Sequence, residues 1–168
     1  MTRSDLFRRR NYPVSGLFVF ILAVICSSSL IAQSTADFSG EWMQDTARSD
    51  PYYKDYNIRL TITQTPQAIM IKTIFLDKKG RESSSEQSFN LDGNEVKRKE
   101  YGGVNAESAS WSADRQTLIT KTTRTVGSKV YGSTSTYSLS NNGQTLTILT
   151  EDINPGQPSL KHVLEKKE

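Results

Sequence analysis

From Ile58 to the C-terminus the chain carries turn pairs flanked by apolar residues that answer one another across the turn, and this feature most limits what it can fold into. A two-residue hairpin turn fixes which residues face each other, and facing residues share one face of a sheet, so each assigned turn can be checked against its neighbours. In "YSLSNNGQTLTI" the Asn142-Gly143 pair sets Leu139 against Leu146 and Tyr137 against Ile148. In "TRTVGSKVYG" the Gly127-Ser128 pair sets Val126 against Lys129, Arg124 against Tyr131, Thr122 against Ser133 and Leu118 against Tyr137. In "WSADRQTLIT" a turn at Asp114-Arg115 sets Trp111 against Leu118. The Leu118/Tyr137 face therefore comes out apolar from independent registers. "FNLDGNEV" reads the same way, with Asp92-Gly93 placing Leu91 opposite Asn94 and Phe89 opposite Val96. In "IRLTITQTPQAIMIK" a turn around Thr65-Pro66 lets Ile69 and Ile71 answer Ile58, Leu60 and Ile62.

Period-2 alternation runs through the whole segment after Ala36 and helical periodicity does not, so the fold class is all-β. A first strand around Gly40 to Asp45 and a last one around Leu160 to Lys166 complete a continuous antiparallel up-and-down meander of eight to ten strands. A meander of that length is expected to close into a barrel, because closure removes its unpaired edges. A β-sandwich is the alternative.

Residues 1–32 read as a signal peptide: Arg8, Arg9 and Arg10 precede the apolar run Gly16 to Cys26, and Ala32 stands at the expected cleavage point. The apolar run is shorter than the roughly 20 residues that span a bilayer. The expected location is periplasmic or secreted, with residues 33–168 as one domain. Lipid modification of Cys26 is the alternative fate, although Ile25 stands where that modification favours a small residue. Of the 21 basic and 18 acidic side chains, four arginines and one aspartate fall in residues 1–32, which leaves 17 of each. A folded part without net charge or a basic stripe gives no footing to nucleic acid or anionic lipid, so neither is expected as a partner, and a monomer is expected. Cys26 is the one cysteine, so residues 33–168 hold neither a disulfide nor a zinc-thiolate site.

In this setting "SGEW", with Gly40 and Trp42, resembles the Gly-x-Trp triplet on the first strand of lipocalins and related calycin barrels. With "DFSGEW" at its head and "YSLSNNGQTLTI" near its end, the chain resembles small exported bacterial lipocalin-like proteins. The tight turns at Thr65-Pro66, Asp92-Gly93, Asp114-Arg115 and Asn142-Gly143 share one end of the meander with Gly40 and Trp42. The resemblance makes that end the closed floor and Trp42 its plug, packed against a basic side chain near the last strand. Here the last strand offers Lys161, Lys166 and Lys167 in place of an arginine. Longer connections fall at the opposite end: "TARSDPYYKDY", "DKKGRES", "YGGVNAE" and "DINPGQPS". The resemblance places the first of them, with Tyr52 and Tyr53, as a lid over the mouth.

Chemistry has little footing. His162 is the one histidine and reads as an ordinary strand residue, no metal-ligand spacing or phosphate-binding glycine loop occurs, and Glu100 and Glu107 read as exposed carboxylates beside a loop. No catalytic residue, cofactor or metal is expected, and the chain is read as a binding protein and not an enzyme. The inward row beyond Leu118 and Tyr137 turns small and polar: Thr120, Thr122 and Arg124 on one strand, Ser135, Ser133 and Tyr131 on the next, with Arg98 on the Val96 face. Such a lining leaves volume, and a buried arginine asks for an anionic partner. The expected ligand is a small hydrophobic or amphiphilic, fatty-acid-like molecule, its tail on Trp111, Leu118 and Tyr137 and its acidic head near Arg124 or Arg98, with Thr122, Tyr131 and Ser133 beside it. The alternative is a filled barrel that acts through its loops as an interaction or inhibitory module.

Overall fold

The computed structural model describes residues 34–167. The signal peptide, its cleavage at Ala32 and the modification of Cys26 lie outside the described residues. The chain builds ten strands: β1 (Gly40–Gln44), β2 (Tyr56–Gln64), β3 (Ala68–Asp77), β4 (Glu82–Asn90), β5 (Val96–Glu100), β6 (Gly103–Trp111), β7 (Thr117–Val126), β8 (Lys129–Leu139), β9 (Thr145–Asp152) and β10 (Leu160–Lys166). A single 3-10 turn, Pro51–Tyr53, is the only helical element among the described residues. All strands join one antiparallel sheet in the order β4-β3-β2-β1-β10-β9-β8-β7-β6-β5, in which β10 returns to pair with β1.

Most registers are those the turn pairs predict. Leu139 faces Leu146 and Tyr137 faces Ile148 across β8 and β9. Trp111 faces Leu118, and Leu118, Thr122, Arg124 and Val126 face Tyr137, Ser133, Tyr131 and Lys129. The turn between β2 and β3 sits one residue later than expected. Thr65 closes on Ala68 through its backbone N–H, 2.8 Å to the Ala68 carbonyl, and its hydroxyl accepts from the Ala68 N–H at 3.0 Å, which centres the turn on Pro66-Gln67. Ile62 then faces Ile71, and the inward row is preserved.

Two connections depart from expectation. The Asp92-Gly93 hairpin does not form: β4 pairs with β3 and β5 pairs with β6, so the two strands are the edges of the sheet and Phe89 has no partner in Val96. The Asp92 carboxylate accepts from the Asn94 backbone N–H at 2.9 Å and from its side-chain amide at 2.9 Å, while the Leu91 N–H reaches the Gln67 carbonyl at 2.8 Å. These bonds hold the segment in a local turn that joins the two edges without a ladder between them. The meander is therefore interrupted between β4 and β5, although β4 lies alongside β6. "YGGVNAE", expected as a long connection, is a tight turn: Glu100 pairs with Gly103, and Tyr101 and Gly102 both hold positive φ, 45° and 72°.

The core sits at the end that carries Gly40. Phe38, Trp42, Leu118, Leu146 and Leu164 have no exposed surface, and Ile62, Ile69 and Phe89 join them. The Trp42 indole N–H donates to the Phe38 carbonyl at 2.9 Å, and the Lys166 ammonium stands 5.3 Å from the centre of its ring. Of the three lysines offered by the last strand, Lys166 is the one that packs on the tryptophan. Gly40 makes room for it: a Cβ there would stand 2.8 Å from Lys166 Cε, and its φ of 138° suits glycine. The segment before β1 crosses this floor. Its Ala36 N–H donates to the Arg115 carbonyl at 3.0 Å, the Gln64 side chain bonds both Ala36 and Phe38, and the Phe38 ring stacks on Trp111 at 5.9 Å.

Candidate functional site

Along the inward rows, the side chains shrink and become polar away from the floor. On β7 the row runs Leu118, Thr120, Thr122, Arg124; on β8 it runs Tyr137, Ser135, Ser133, Tyr131. On β4 the buried Phe89 is followed by Gln87, Ser85 and Ser83. Above the floor this leaves a cavity of about 150 Å³ inside the sheet. Its apolar side is Ile58 and Leu60 of β2, Ile71 and Phe75 of β3, and Ile148 of β9. Its polar side is Thr73, Gln87, Ser135, Thr150, Tyr53, Tyr137 and His162. None of these lining side chains carries a full charge at neutral pH. Burial pushes the Tyr53 and Tyr137 hydroxyls above the usual phenol range, and burial lowers His162 to about 4.

His162 was read from the sequence as an ordinary strand residue, and here it occupies the inward row of β10. It is 6 % exposed, and its Nε2 is buried without a hydrogen-bond partner. The Tyr53 ring stacks on the imidazole at 4.5 Å with planes 18° apart. The sequence carried a signal for it: Leu160, His162 and Leu164 alternate, so the histidine shares a row with the fully buried Leu164. Tyr53 is held over it by the 3-10 turn, where the Tyr53 N–H donates to the Asp50 carbonyl at 3.0 Å and the Tyr53 carbonyl accepts from Gln44 Nε2 at 3.0 Å. The backbone of the turn is tied in turn to β10, since Asp50 N–H reaches the Lys161 carbonyl at 2.8 Å and Ser49 Oγ accepts from the Val163 N–H at 2.9 Å. Of the two tyrosines in this connection, Tyr53 lines the cavity and Tyr52 is 67 % exposed.

The residues singled out from the sequence are not brought together in one site. Tyr137 lines the cavity. Leu118 is packed into the floor core, and Trp111 belongs to an outer groove with Leu91 and Arg115 beneath the floor, so neither lines the cavity. The cause is the Phe38 ring, which lies on Trp111 and meets Tyr137 edge-on at 6.3 Å, filling the space between them. Thr122, Arg124 and Tyr131 line a cavity of about 190 Å³ near the rim with Asn105, Glu107 and Gln87, while Ser133 lines a groove of about 380 Å³ with Tyr52, Asp152 and Leu160. Gln87 is common to the rim cavity and the inner one, and Thr150 to the groove and the inner one.

The two arginines are already engaged. Arg124 Nη1 donates to Asn105 Oδ1 at 2.9 Å, and its Nη2 reaches the Glu100 and Tyr101 carbonyls at 3.3 and 3.2 Å. Arg98 Nη1 lies 2.9 Å from Glu107 Oε2, with the arginine exposed and the glutamate partly buried. The guanidinium groups thus take their partners from the chain itself, which removes the reason for assigning an acidic ligand head to Arg98 or Arg124. Glu100 accepts from the Asn105 amide at 3.0 Å, so Glu100 and Glu107 serve different partners and do not form a carboxylate pair.

No protein-family model and no curated protein matches this sequence. Solved structures do. The fold is similar to that of a REP1-NXSQ fatty acid transporter, at 14 % identity and a TM-score of 0.55 over 80 % of this chain and 98 % of the other. It is similar to a secretory abundant heat soluble protein from Ramazzottius varieornatus at 11 % identity and a TM-score of 0.55, again over 80 % and 98 %. A fatty acid binding protein of Schistosoma mansoni, in complex with arachidonic acid, matches at 12 % identity and a TM-score of 0.52 over 80 % of this chain and 99 % of its own. What the chain shares with them is the fold, an all-β antiparallel sheet.

Proposed function

We propose that the chain is an exported, non-enzymatic carrier of a small hydrophobic or amphiphilic molecule held inside its curled sheet. The observation that carries this reading is the inner cavity, whose walls are isoleucine, leucine and phenylalanine on one side and hydroxyl, amide and imidazole groups on the other. Ligand sites of small barrels have this make-up, an apolar body with a few polar groups that orient the guest. On this reading the sheet acts as a barrel, with β4 lying beside β6 and no ladder between β4 and β5. The fatty acid transporter and the fatty acid binding protein that share the fold add support by analogy. At about 150 Å³ the cavity holds a guest of roughly six non-hydrogen atoms, since an engineered cavity of that size takes up benzene. A longer chain extends past Gln87 or Thr150 towards the rim.

Purification from the native host followed by native mass spectrometry should show a bound molecule of low mass. Protein stripped of lipid should take up a fluorescent fatty-acid analogue saturably at micromolar concentration. Absence of both would return the chain to the loop-based interaction module.

A further inference from the structure

Of the buried side-chain polar atoms among the described residues, His162 Nε2 is the one left without a hydrogen-bond partner, and its side chain lines the inner cavity. An unsatisfied buried imidazole nitrogen costs free energy unless something in the cavity meets it. Nothing on the walls supplies a charge to go with it: the lining holds no lysine or arginine, and Arg98 and Arg124 lie outside it with partners of their own. A carboxylate brought into this space would be buried without a counter-ion, which is far more costly than burying a neutral polar group.

We infer that His162 Nε2 is the polar contact for an uncharged, hydroxyl-bearing guest whose apolar body lies against Ile58, Leu60, Ile71 and Ile148. This rests on the carrier reading and narrows it to neutral amphiphiles, short alcohols at the size of the cavity. A hydroxyl suits the site whichever ring nitrogen carries the proton, because it donates to a bare Nε2 and accepts from a protonated one. Tyr53, stacked on the imidazole, fixes the ring plane and so the direction in which Nε2 points. It also shields that atom from bulk water, which raises the worth of a hydrogen bond formed there.

The experiment uses the 33–168 chain, its single histidine labelled with nitrogen-15, with 1-hexanol and sodium hexanoate as probes at pH 7.4. Hexanol should shift the imidazole nitrogen signals saturably and bind at least tenfold more tightly than hexanoate. His162→Phe keeps a flat ring against Tyr53 and should weaken hexanol roughly five- to tenfold, as loss of one hydrogen bond does. His162→Gln, which keeps a donor and an acceptor, should recover part of that loss and serves as the test if the phenylalanine variant folds poorly. Hexanoate binding as tightly as hexanol, hexanol binding that leaves the His162 signals unmoved, or a His162→Phe protein with undiminished hexanol affinity overturns the assignment and leaves the carrier reading standing. If neither probe nor a fluorescent fatty-acid analogue binds, the carrier reading falls as well.

Discussion

The two ends of this sheet are made by the same strands in the same register, yet they are built to different specifications. Towards the floor the inward rows hold Trp42, Leu118, Leu146 and Leu164, none with exposed surface, closed from below by Phe38. Towards the mouth the same rows hold Ser83, Ser85, Thr122, Ser133 and Asp152, which are partly or fully exposed. Hydrophobic burial follows the apolar area removed from water, so the stability of the fold is concentrated at one end. The other end keeps its ladders but little core. A barrel divided in this way can give up interior volume near its mouth without unfolding.

The largest test of that division is Trp42→Ala. Removing a fully buried aromatic leaves a void at the floor and unpairs the Phe38 carbonyl, and the expected loss is about 3–5 kcal/mol in urea or guanidinium melts. A loss below about 0.5 kcal/mol would show that the floor does not hold the fold together.

Next comes His162, which stands between the two regimes. Above pH 6.5 the imidazole is neutral in the folded and unfolded chains alike. On acidification the unfolded chain takes up its proton near 6.5, whereas the buried ring resists until about 4. Between those values the unfolded state binds more protons, so stability falls with falling pH, by about 3 kcal/mol in total, and levels off below. The depressed carboxyls of Asp37, Asp45, Asp77, Asp92 and Asp114 add their own loss at lower pH, beginning as the pH falls through the ordinary aspartate range and continuing below it. His162→Phe should abolish the part between pH 6.5 and 4 and leave the lower part intact. Melts at pH 7, 5.5 and 4 for both proteins would reveal an exposed histidine if the two slopes coincide.

At the mouth the close approach of backbones replaces side-chain packing. Gly132 of β8 crosses β7 so tightly that a Cβ would stand 2.1 Å from the Thr122 carbonyl oxygen, with φ at 156°. Gly132→Ala should therefore cost about 2–3 kcal/mol through backbone strain, despite the absence of a large core there. It should also disturb the rim cavity that Gly132 lines with Thr122 and Arg124, seen as chemical-shift changes confined to β7 and β8.

How legible this was depends on whether a local rule fixed the outcome. The Gly127-Ser128 turn closes as the two-residue hairpin its chemistry favours, and the Asn142-Gly143 segment keeps the expected register through a longer loop in which the Gly143 N–H donates to the Ser140 carbonyl at 2.8 Å. Asp92-Gly93 has similar chemistry, and its cap on Asn94 matches the cap of Asn142 on Gln144 in a turn that does join paired strands, so the difference lies in the flanks: apart from Phe89, β4 is exposed polar sequence and β5 is mostly charged. "ESSSEQS" and "VKRKE" are the polar, charged composition of protected sheet edges, and that compositional cue would have located the interruption. The inward face of β7 and β8 was legible as far as Arg124. The Asp114-Arg115 register already sets Asn105 opposite Arg124, whereas the partner of Arg98 was not legible, since Glu107 reaches it through the β5–β6 ladder, for which no turn pair was read. His162 was missed because its isolation was weighed and its alternation with Leu160 and Leu164 was not.

The smallest expected effect sharpens the same contrast from the rim. Arg98 lies on the short edge strand β5, ion-paired to Glu107 with its side chain 53 % exposed, and exposed pairs of this kind contribute little because water screens them and both side chains lose freedom. Arg98→Ala should therefore stay within about 0.5 kcal/mol of wild type in denaturant melts. If the inner cavity takes an uncharged guest at His162, the substitution should also leave hexanol affinity unchanged within about twofold, because the guanidinium neither lines the cavity nor faces an empty anionic site. A tenfold loss of affinity on removing Arg98, with stability intact, would move the polar end of the ligand from the buried imidazole to the rim and reopen the case for an acidic head group.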